Sequence, residues 1–261
     1  MKGLLRLVVL VLIAALALQL FFLLRIGTMA VIAPQSTSFQ RSEAWRIASE
    51  KQPSTGLRTG LRWRQQWVPY LAISDNLKRA VIASEDGSFT NHDGVDWEAL
   101  EKAWQRNARA EDLAQRQSAQ QAARRDAGKA TPPPSARSAK IVGGSTITQQ
   151  LAKNLLLSGE RTLLRKGQEF VLTFLLEHML NKQRILEIYL NNVEWGEGVF
   201  GAEAAAQHYY RKPASQLSAY ESARLAVMLP RPRYFEKLPN SGYLASRAST
   251  IVARMREAEL P

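Results

Sequence analysis

Cysteine is absent from the 261-residue chain, so neither a disulfide nor thiol chemistry is available to it. A domain of this size can fold without either, which leaves the compartment open. Acidic residues are in the minority: 23 Asp and Glu stand against 35 Lys and Arg, a formal net charge of +12. That excess points to a polyanionic partner, whether nucleic acid, an anionic membrane surface or a phosphate-bearing substrate. Internal repeats are lacking. So are runs of period-two alternation, which leaves helical periodicity as the organising pattern. Charge itself is missing from one stretch: Leu7 to Leu24 is 18 residues without a charged side chain, with Gln19 its only strongly polar member.

A helix of that length nearly crosses a hydrocarbon core, and Lys2 and Arg6 ahead of it favour a cytoplasmic N-terminus. A cleaved signal peptide is the competing reading, because Ala15-Leu16-Ala17 resembles a cleavage site. The apolar run continues through Gln19-Leu20-Phe21-Phe22-Leu23-Leu24, however, and cleavage would leave a greasy new terminus, so an uncleaved anchor is expected. The bulk of the protein then lies outside the cytoplasm. Nucleic acid falls away as a partner, and membrane or phosphate rises.

Residues 28–56, around Pro34 and Pro53, read as a connection from membrane to globular domain. Residues 57–70 interleave Arg58, Arg62 and Arg64 with Trp63, Trp67 and Tyr70. That mixture suits a membrane interface, or equally a half-buried strand with a solvated basic face. A helix is expected from Ser74 or Asp75, its cap, with Leu77, Ala80, Val81 and Ser84 on one face and Gly87 as its stop. Another is expected from Asp96 to about Arg109, with Trp97, Leu100 and Trp104 on one side. From Ala110 to Ser138 the chain is rich in Ala, Gln, Arg and Ser, contains Pro132-Pro133-Pro134 and has almost no bulky apolar residue; it reads as mobile or weakly helical. Helices follow at 145–157, 162–180, 182–191, 200–210, 215–229 and 241–258, so the class is mainly α.

Four stretches carry candidate chemistry. In Ser84-Glu85-Asp86-Gly87-Ser88-Phe89, followed by His92, the carboxylates of Glu85 and Asp86 fall at a helix C-terminus, where the partial negative charge disfavours them. A site that needs a more basic carboxylate accounts for that; so does a merely solvated helix end. In Gly143-Gly144-Ser145-Thr146-Ile147-Thr148-Gln149-Gln150, two glycines allow close backbone approach, and Thr146 and Gln149 have capping-box spacing. Lys153 shares a helix face with Gln149, and a helix start with free N–H groups suits an anion. An ordinary capped helix with a surface lysine is the competing explanation. Arg161, Arg165, Lys166 and Glu169 form a cationic cluster with one embedded carboxylate, or a simple exposed ion pair. The fourth stretch, Lys182 to Gly201, is an amphipathic helix ending in a glycine-rich turn and reads as mostly structural.

In this order the stretches resemble the glycosyltransferase family 51 domain of bacterial cell-wall synthases. The resemblance rests on EDGSFTNHDGVD at 85–96, GGSTITQQLAKNLLL at 143–157, RTLLRKGQE at 161–169, ILEIYLNNVEWGEGVFGAEAAAQHYY at 185–210 and ARLAVMLPRP at 223–232. It implies a lysozyme-like helical lobe with a smaller membrane-associated jaw, preceded by one transmembrane helix. Residues 1–27 are then the cytoplasmic tip and anchor, 28–66 the connecting segment and 67–261 the glycosyltransferase domain, with a flexible insertion at about 108–139. The implied reaction polymerises lipid II into glycan strands and releases undecaprenyl pyrophosphate. By the same resemblance Glu85 is the general base and Glu169 the second carboxylate, near the pyrophosphate. Lys153 and Arg161 neutralise the leaving group, Ser145, Gln149, Gln150 and Lys166 bind donor or phosphate, and Asp86, Phe89 and His92 support the first motif. No cofactor is required by the sequence; a divalent cation, Mg or Mn, assists some members, but nothing resembles a closed metal site.

The implied partners are lipid II, the growing lipid-linked glycan, the membrane and other cell-wall synthases, with no nucleic acid. The implied location is the bacterial inner membrane, single-pass, with a periplasmic catalytic domain. The S-x-x-K and K-T-G motifs of a transpeptidase are absent, so none of that activity is expected. The alternatives are a lysozyme-like peptidoglycan hydrolase and a non-catalytic cell-wall assembly scaffold.

Overall fold

The computed structural model describes residues 1–50, 62–126, 144–157 and 162–261, with 119–126 described as backbone only. Pro53, Arg58, the Pro132–Pro134 run, Gly143 and Arg161 lie outside the described residues. The chain forms two compact units, one of Met1–Gly94 with Thr146–Pro261 and the other of Val95–Ser145.

The larger unit opens with α1, Lys2–Met29, a helix long and apolar enough to cross a membrane. Most of its Leu, Val and Ile side chains are exposed; Phe22, Ile26 and Met29, at helical spacing, are buried. An apolar helix with its side chains bare is stable in lipid rather than water, so α1 is the candidate anchor. Next comes α2, Ser38–Ser49, started by a Thr37/Gln40 capping box. Gln40 also donates to the Asn192 carbonyl at 3.3 Å, tying the segment after the anchor to the body.

The helical core is built from α3 (Asp75–Glu85), α5 (Ile147–Leu156), α6 (Leu163–Met179), α7 (Lys182–Asn192), α8 (Ala202–Tyr210), α9 (Ala219–Met228), the single turn α10 (Pro232–Phe235) and α11 (Gly242–Arg254). The apolar face expected of α3 is real: Leu77, Ala80 and Val81 are fully buried where α3 packs on α9 and α11. Full burial contributes about 1.5–3 kcal/mol for a side chain the size of Leu77 or Val81 and about 0.8 kcal/mol for the Ala80 methyl. Ser74 caps α3, accepting the Asn76 N–H. Capping boxes also begin α5 (Thr146/Gln149) and α9 (Ser218/Glu221).

A small sheet interrupts the helices. β1 (Arg64–Gln65) pairs parallel with β3 (Val199–Phe200), which pairs antiparallel and with a bulge to β2 (Glu194–Gly196). Of the two forms open to the basic-aromatic segment, the described part takes the strand: Arg62 and Arg64 are exposed, and Trp63 stacks on Phe200 with centroids 4.4 Å apart. Gly198 permits this pairing. It has φ +69°, and a Cβ there would meet the Arg62 carbonyl at 2.0 Å.

In the smaller unit, α4 runs Trp97–Asp126. The helix expected to end near Arg109 thus continues through residues expected to be mobile or weakly helical. Ala, Gln and Arg are strong helix formers, and Glu98–Lys102 and Glu101–Gln105 pair at i,i+4. Low burial did not prevent a helix; it left one whose Trp97 and Trp104 are 64% and 75% exposed.

Candidate active site

The first motif begins where α3 stops. Gly87 does not take the left-handed conformation of a glycine stop, since the positive-φ glycines among the described residues are Gly94, Gly198 and Gly201. Asp86 ends the helix instead, leaving helical geometry at φ −162° and ψ 73°. Its carboxylate then crosses to α5: Oδ2 accepts the Ile147 N–H at 2.9 Å, the first turn of that helix. A carboxylate is favoured there by the exposed N–H groups and the helix dipole. Asp86 Oδ1 lies 2.8 Å from His92 Nε2. His92 Nδ1 accepts the Gly94 N–H at 3.1 Å, so Nε2 carries the proton given to Asp86.

Gly94, at φ +85°, closes the loop. A Cβ there would meet Thr173 Cγ2 at 2.6 Å and Glu177 Cγ at 2.9 Å, and the Thr146 hydroxyl donates to the Gly94 carbonyl at 2.6 Å. Phe89 is fully buried, edge-on to His92, with the Lys182 ammonium 4.7 Å above its ring. Asp86, Phe89 and His92 therefore fix the loop that follows Glu85.

Glu85 itself is half-buried at the last turn of α3. Its Oε2 accepts from Gln150 Nε2 at 3.1 Å, and its Oε1 from the Ser84 hydroxyl at 3.4 Å. Burial pushes this carboxyl above the ordinary glutamate value, the two hydrogen bonds pull it back, and the Asp86 charge adds to the rise. A raised carboxylate pKa is what a base for a hydroxyl proton requires. Gln150 is in turn held by the Tyr189 hydroxyl, which donates to its Oε1 at 3.0 Å.

Three residues along α5, a rise of about 4.5 Å, stands Lys153. It is solvent-accessible, yet protein crowding around the amine lowers its pKa; Glu169 opposes that, while Arg165 and Lys166 add to it. Buried Glu169 binds the Lys166 ammonium at 2.5 Å and lies 3.6 Å from Arg165 Nη1. The patch thus holds three cations to one carboxylate. Arg165 Nε is buried and has no hydrogen-bond partner among the described residues. Such a patch suits an anion with more than one charge.

The remaining expected binders divide. Gln149 is buried, its side-chain oxygen accepting the Thr146 N–H in the capping box, so a cap is the role its geometry displays. Ser145 belongs to the smaller unit and is exposed. Two contributors were not among the expected site residues. Arg165 read either as part of the cationic cluster or as half of an exposed ion pair and was given no role of its own, and nothing in sequence reveals that its Nε is sequestered. Tyr189 sits 39 residues from Gln150 in a stretch read as structural. Among the described residues no group of three or more His, Asp or Glu is arranged to hold a metal.

A half-buried carboxylate held by Gln150, and a cationic patch that includes Lys153 one turn on from Gln150 along α5, fit transfer of a group from an anionic leaving group to a hydroxyl. Comparison with known proteins agrees. The transglycosylase family model matches residues 54–127 and 127–256. A biosynthetic peptidoglycan transglycosylase of Burkholderia thailandensis is 51% identical over 248 residues, 95% of this chain and 84% of the relative. One from Herminiimonas arsenicoxydans is 49% identical over 246 residues, 94% of this chain and 92% of the relative. The chain belongs to the transglycosylase family and is a glycosyltransferase.

Proposed function

We propose that the protein is a peptidoglycan glycosyltransferase that polymerises lipid II into glycan strands. The growing lipid-linked strand is the donor and lipid II the acceptor. Glu85 takes the proton from the acceptor's 4-hydroxyl as that oxygen bonds to the anomeric carbon of the donor. The anomeric carbon–oxygen bond breaks, and undecaprenyl pyrophosphate leaves with the electron pair. Lys153, Lys166, Arg165 and Arg161 offset the charge developing on the pyrophosphate, with buried Glu169 organising them; preorganised cations aimed at developing charge are strong catalysts. Gln150 aims Glu85, Gln149 serves the donor end by capping the start of α5, and Ser145 binds donor. A divalent cation, Mg or Mn, is not required in this reading.

The observation that carries the reading is the spacing on α5: Gln150 holds the base and Lys153, one turn on, belongs to the cation patch. The apolar α1 supports a single-pass inner-membrane anchor with the chemistry on the periplasmic side, where the lipid-linked substrate and other cell-wall synthases are met. Residues 1–27 are then tip and anchor, 28–66 the connection and 67–261 the catalytic domain. No transpeptidase activity is expected.

The test is incubation of the full chain in detergent with lipid II. Glycan strands lengthening as prenyl pyrophosphate is released support the reading. Cleavage of finished strands without elongation would replace it with a hydrolase, and neither activity would replace it with a scaffold.

A further inference from the structure

Tyr189 on α7 is 1% exposed, and the reaction as written does not use it. Its hydroxyl lies 3.0 Å from Gln150 Oε1, and Gln150 Nε2 lies 3.1 Å from Glu85 Oε2. A carboxamide has two unlike ends, an acceptor oxygen and a donor nitrogen. Whichever end meets Tyr189, the other meets Glu85. Turned the other way, the amide would set its oxygen against the Glu85 carboxylate and its N–H groups against the phenol. The phenol must remain protonated for the arrangement to hold, and burial, with Glu85 and Asp86 nearby, drives its pKa well above the ordinary tyrosine value. A buried hydroxyl that keeps its hydrogen needs an acceptor for it, and Gln150 Oε1 supplies one.

We infer that Tyr189 is a positioning residue for the base: by donating to Gln150 Oε1 it fixes the Gln150 amide with its N–H aimed at Glu85. The inference rests on Glu85 as the base and adds the group that orients it. With the amide locked, Glu85 Oε2 is held by a neutral donor that stabilises the ionised form. The groups around Glu85 are Asp86 beside it with His92 behind, neutral Gln150 from α5 and Tyr189 from α7. Asp86 and His92 are bonded to each other; the contacts left to Glu85 are the Ser84 hydroxyl at 3.4 Å from Oε1 and the closer Gln150 amide at 3.1 Å from Oε2, which is the one Tyr189 holds.

The experiment is a cycle of Tyr189→Phe, Gln150→Leu and the double variant in the full chain, with kcat/KM for lipid II polymerisation measured from acid to neutral pH. Tyr189→Phe frees the amide to turn, so the acid limb should move toward neutrality by about half to one pH unit, with most of the rate regained above it. Gln150→Leu should move it at least as far, and adding Tyr189→Phe to that variant should move it no further. An unmoved acid limb in a folded Tyr189→Phe protein, or an equal shift with and without Gln150, would overturn the inference. Should Tyr189→Phe fail to fold, Tyr189→Leu, which likewise removes the donor to Gln150 Oε1, serves in its place under the same criteria. The premise is tested separately: wild-type turnover by Glu85→Gln removes the base, whereas an inactive Glu85→Gln with an unmoved Tyr189→Phe limb removes only the role of Tyr189.

Discussion

The two ends of the candidate site share α5 and are built on opposite principles. Around Glu85 the polar groups are already engaged in a continuous set running Tyr189, Gln150, Glu85, and beside it Gly94, His92, Asp86 and the start of α5. Around Lys153 the balance is left open: among the described residues, three cations stand to one carboxylate and the Arg165 Nε is buried without a partner. A base acts through direction, and direction is kept by hydrogen bonds in place before substrate arrives. A leaving-group site acts through charge that appears only during the reaction, so an excess of donors must wait for it. Glu169 limits what that waiting costs, because like charges with no counter-charge would repel.

The comparison breaks first, and most severely, at Glu85. Glu85→Gln is nearly isosteric and should lower polymerisation by about 10²- to 10⁴-fold while the protein stays folded. Its stability carries a second readout. Burial raises the folded pKa of Glu85, so ionising it weakens the fold as pH rises through that value, and the neutral form is present in both states below the unfolded value. The variant should therefore match or exceed wild-type thermal stability at pH 7, with the difference closing below about pH 4. Unfolding scans at both pH values check this. A variant clearly less stable at pH 7 would show that the carboxylate helps hold the fold and is not poised as a base.

Lys153→Met should come next, lowering kcat by about 10²- to 10³-fold and weakening competition by inorganic pyrophosphate, with the acid limb in place. If it moved that limb as far as Gln150→Leu does, the two ends could not be treated as separate. Asp86→Asn sharpens the first half alone. Asn offers one acceptor where Asp offers two, and His92 cannot change tautomer without losing the Gly94 N–H. Either His92 or the Ile147 N–H is left unpaired, at about 1–3 kcal/mol of unfolding free energy, measurable by denaturant titration.

How much of this was legible in sequence depended on range. Local chemistry could be read: Thr146 and Gln149 announced the start of α5, and Ser74 that of α3, because a cap and its partner lie within three residues. Gly87 misled because a glycine permits a stop without imposing one; Asp86 ended α3 by reaching α5, 61 residues away. The low apolar content after Ala110 left the stretch open between mobile and weakly helical, although propensity alone supports α4 as far as Asp126. The tie from Tyr189 to Gln150 and the buried Arg165 Nε depend on how α5, α6 and α7 pack, which no spacing encodes.

The smallest effect concerns how the cationic half is held. Gln19, the one strongly polar residue of the apolar run, exchanges amide hydrogen bonds with Gln168 of α6 at 2.9 and 3.2 Å, and Gln168 immediately precedes Glu169. α1 and α6 pack together here, with Phe22 and Ile26 buried and Met179 Cε 3.1 Å from where a Gly27 Cβ would stand. The apolar helix α1 thus grips the helix that carries Arg165 and Lys166, whereas Glu85 ends α3 and is held from α5 and α7. An amide deprived of its partner in apolar surroundings is unfavourable, so Gln19→Leu or Gln168→Leu alone should be worse than both together. Measured pairs between helices in membranes average about 0.6 kcal/mol, which is about threefold in an equilibrium constant. Thermal unfolding in detergent should therefore fall for each single variant and recover in the double. Any change in turnover should appear as about threefold or less in KM for lipid II, with the acid limb unmoved. A shift of that limb would show that the anchor steers the base as well as the cations, and the division between the two ends would be lost.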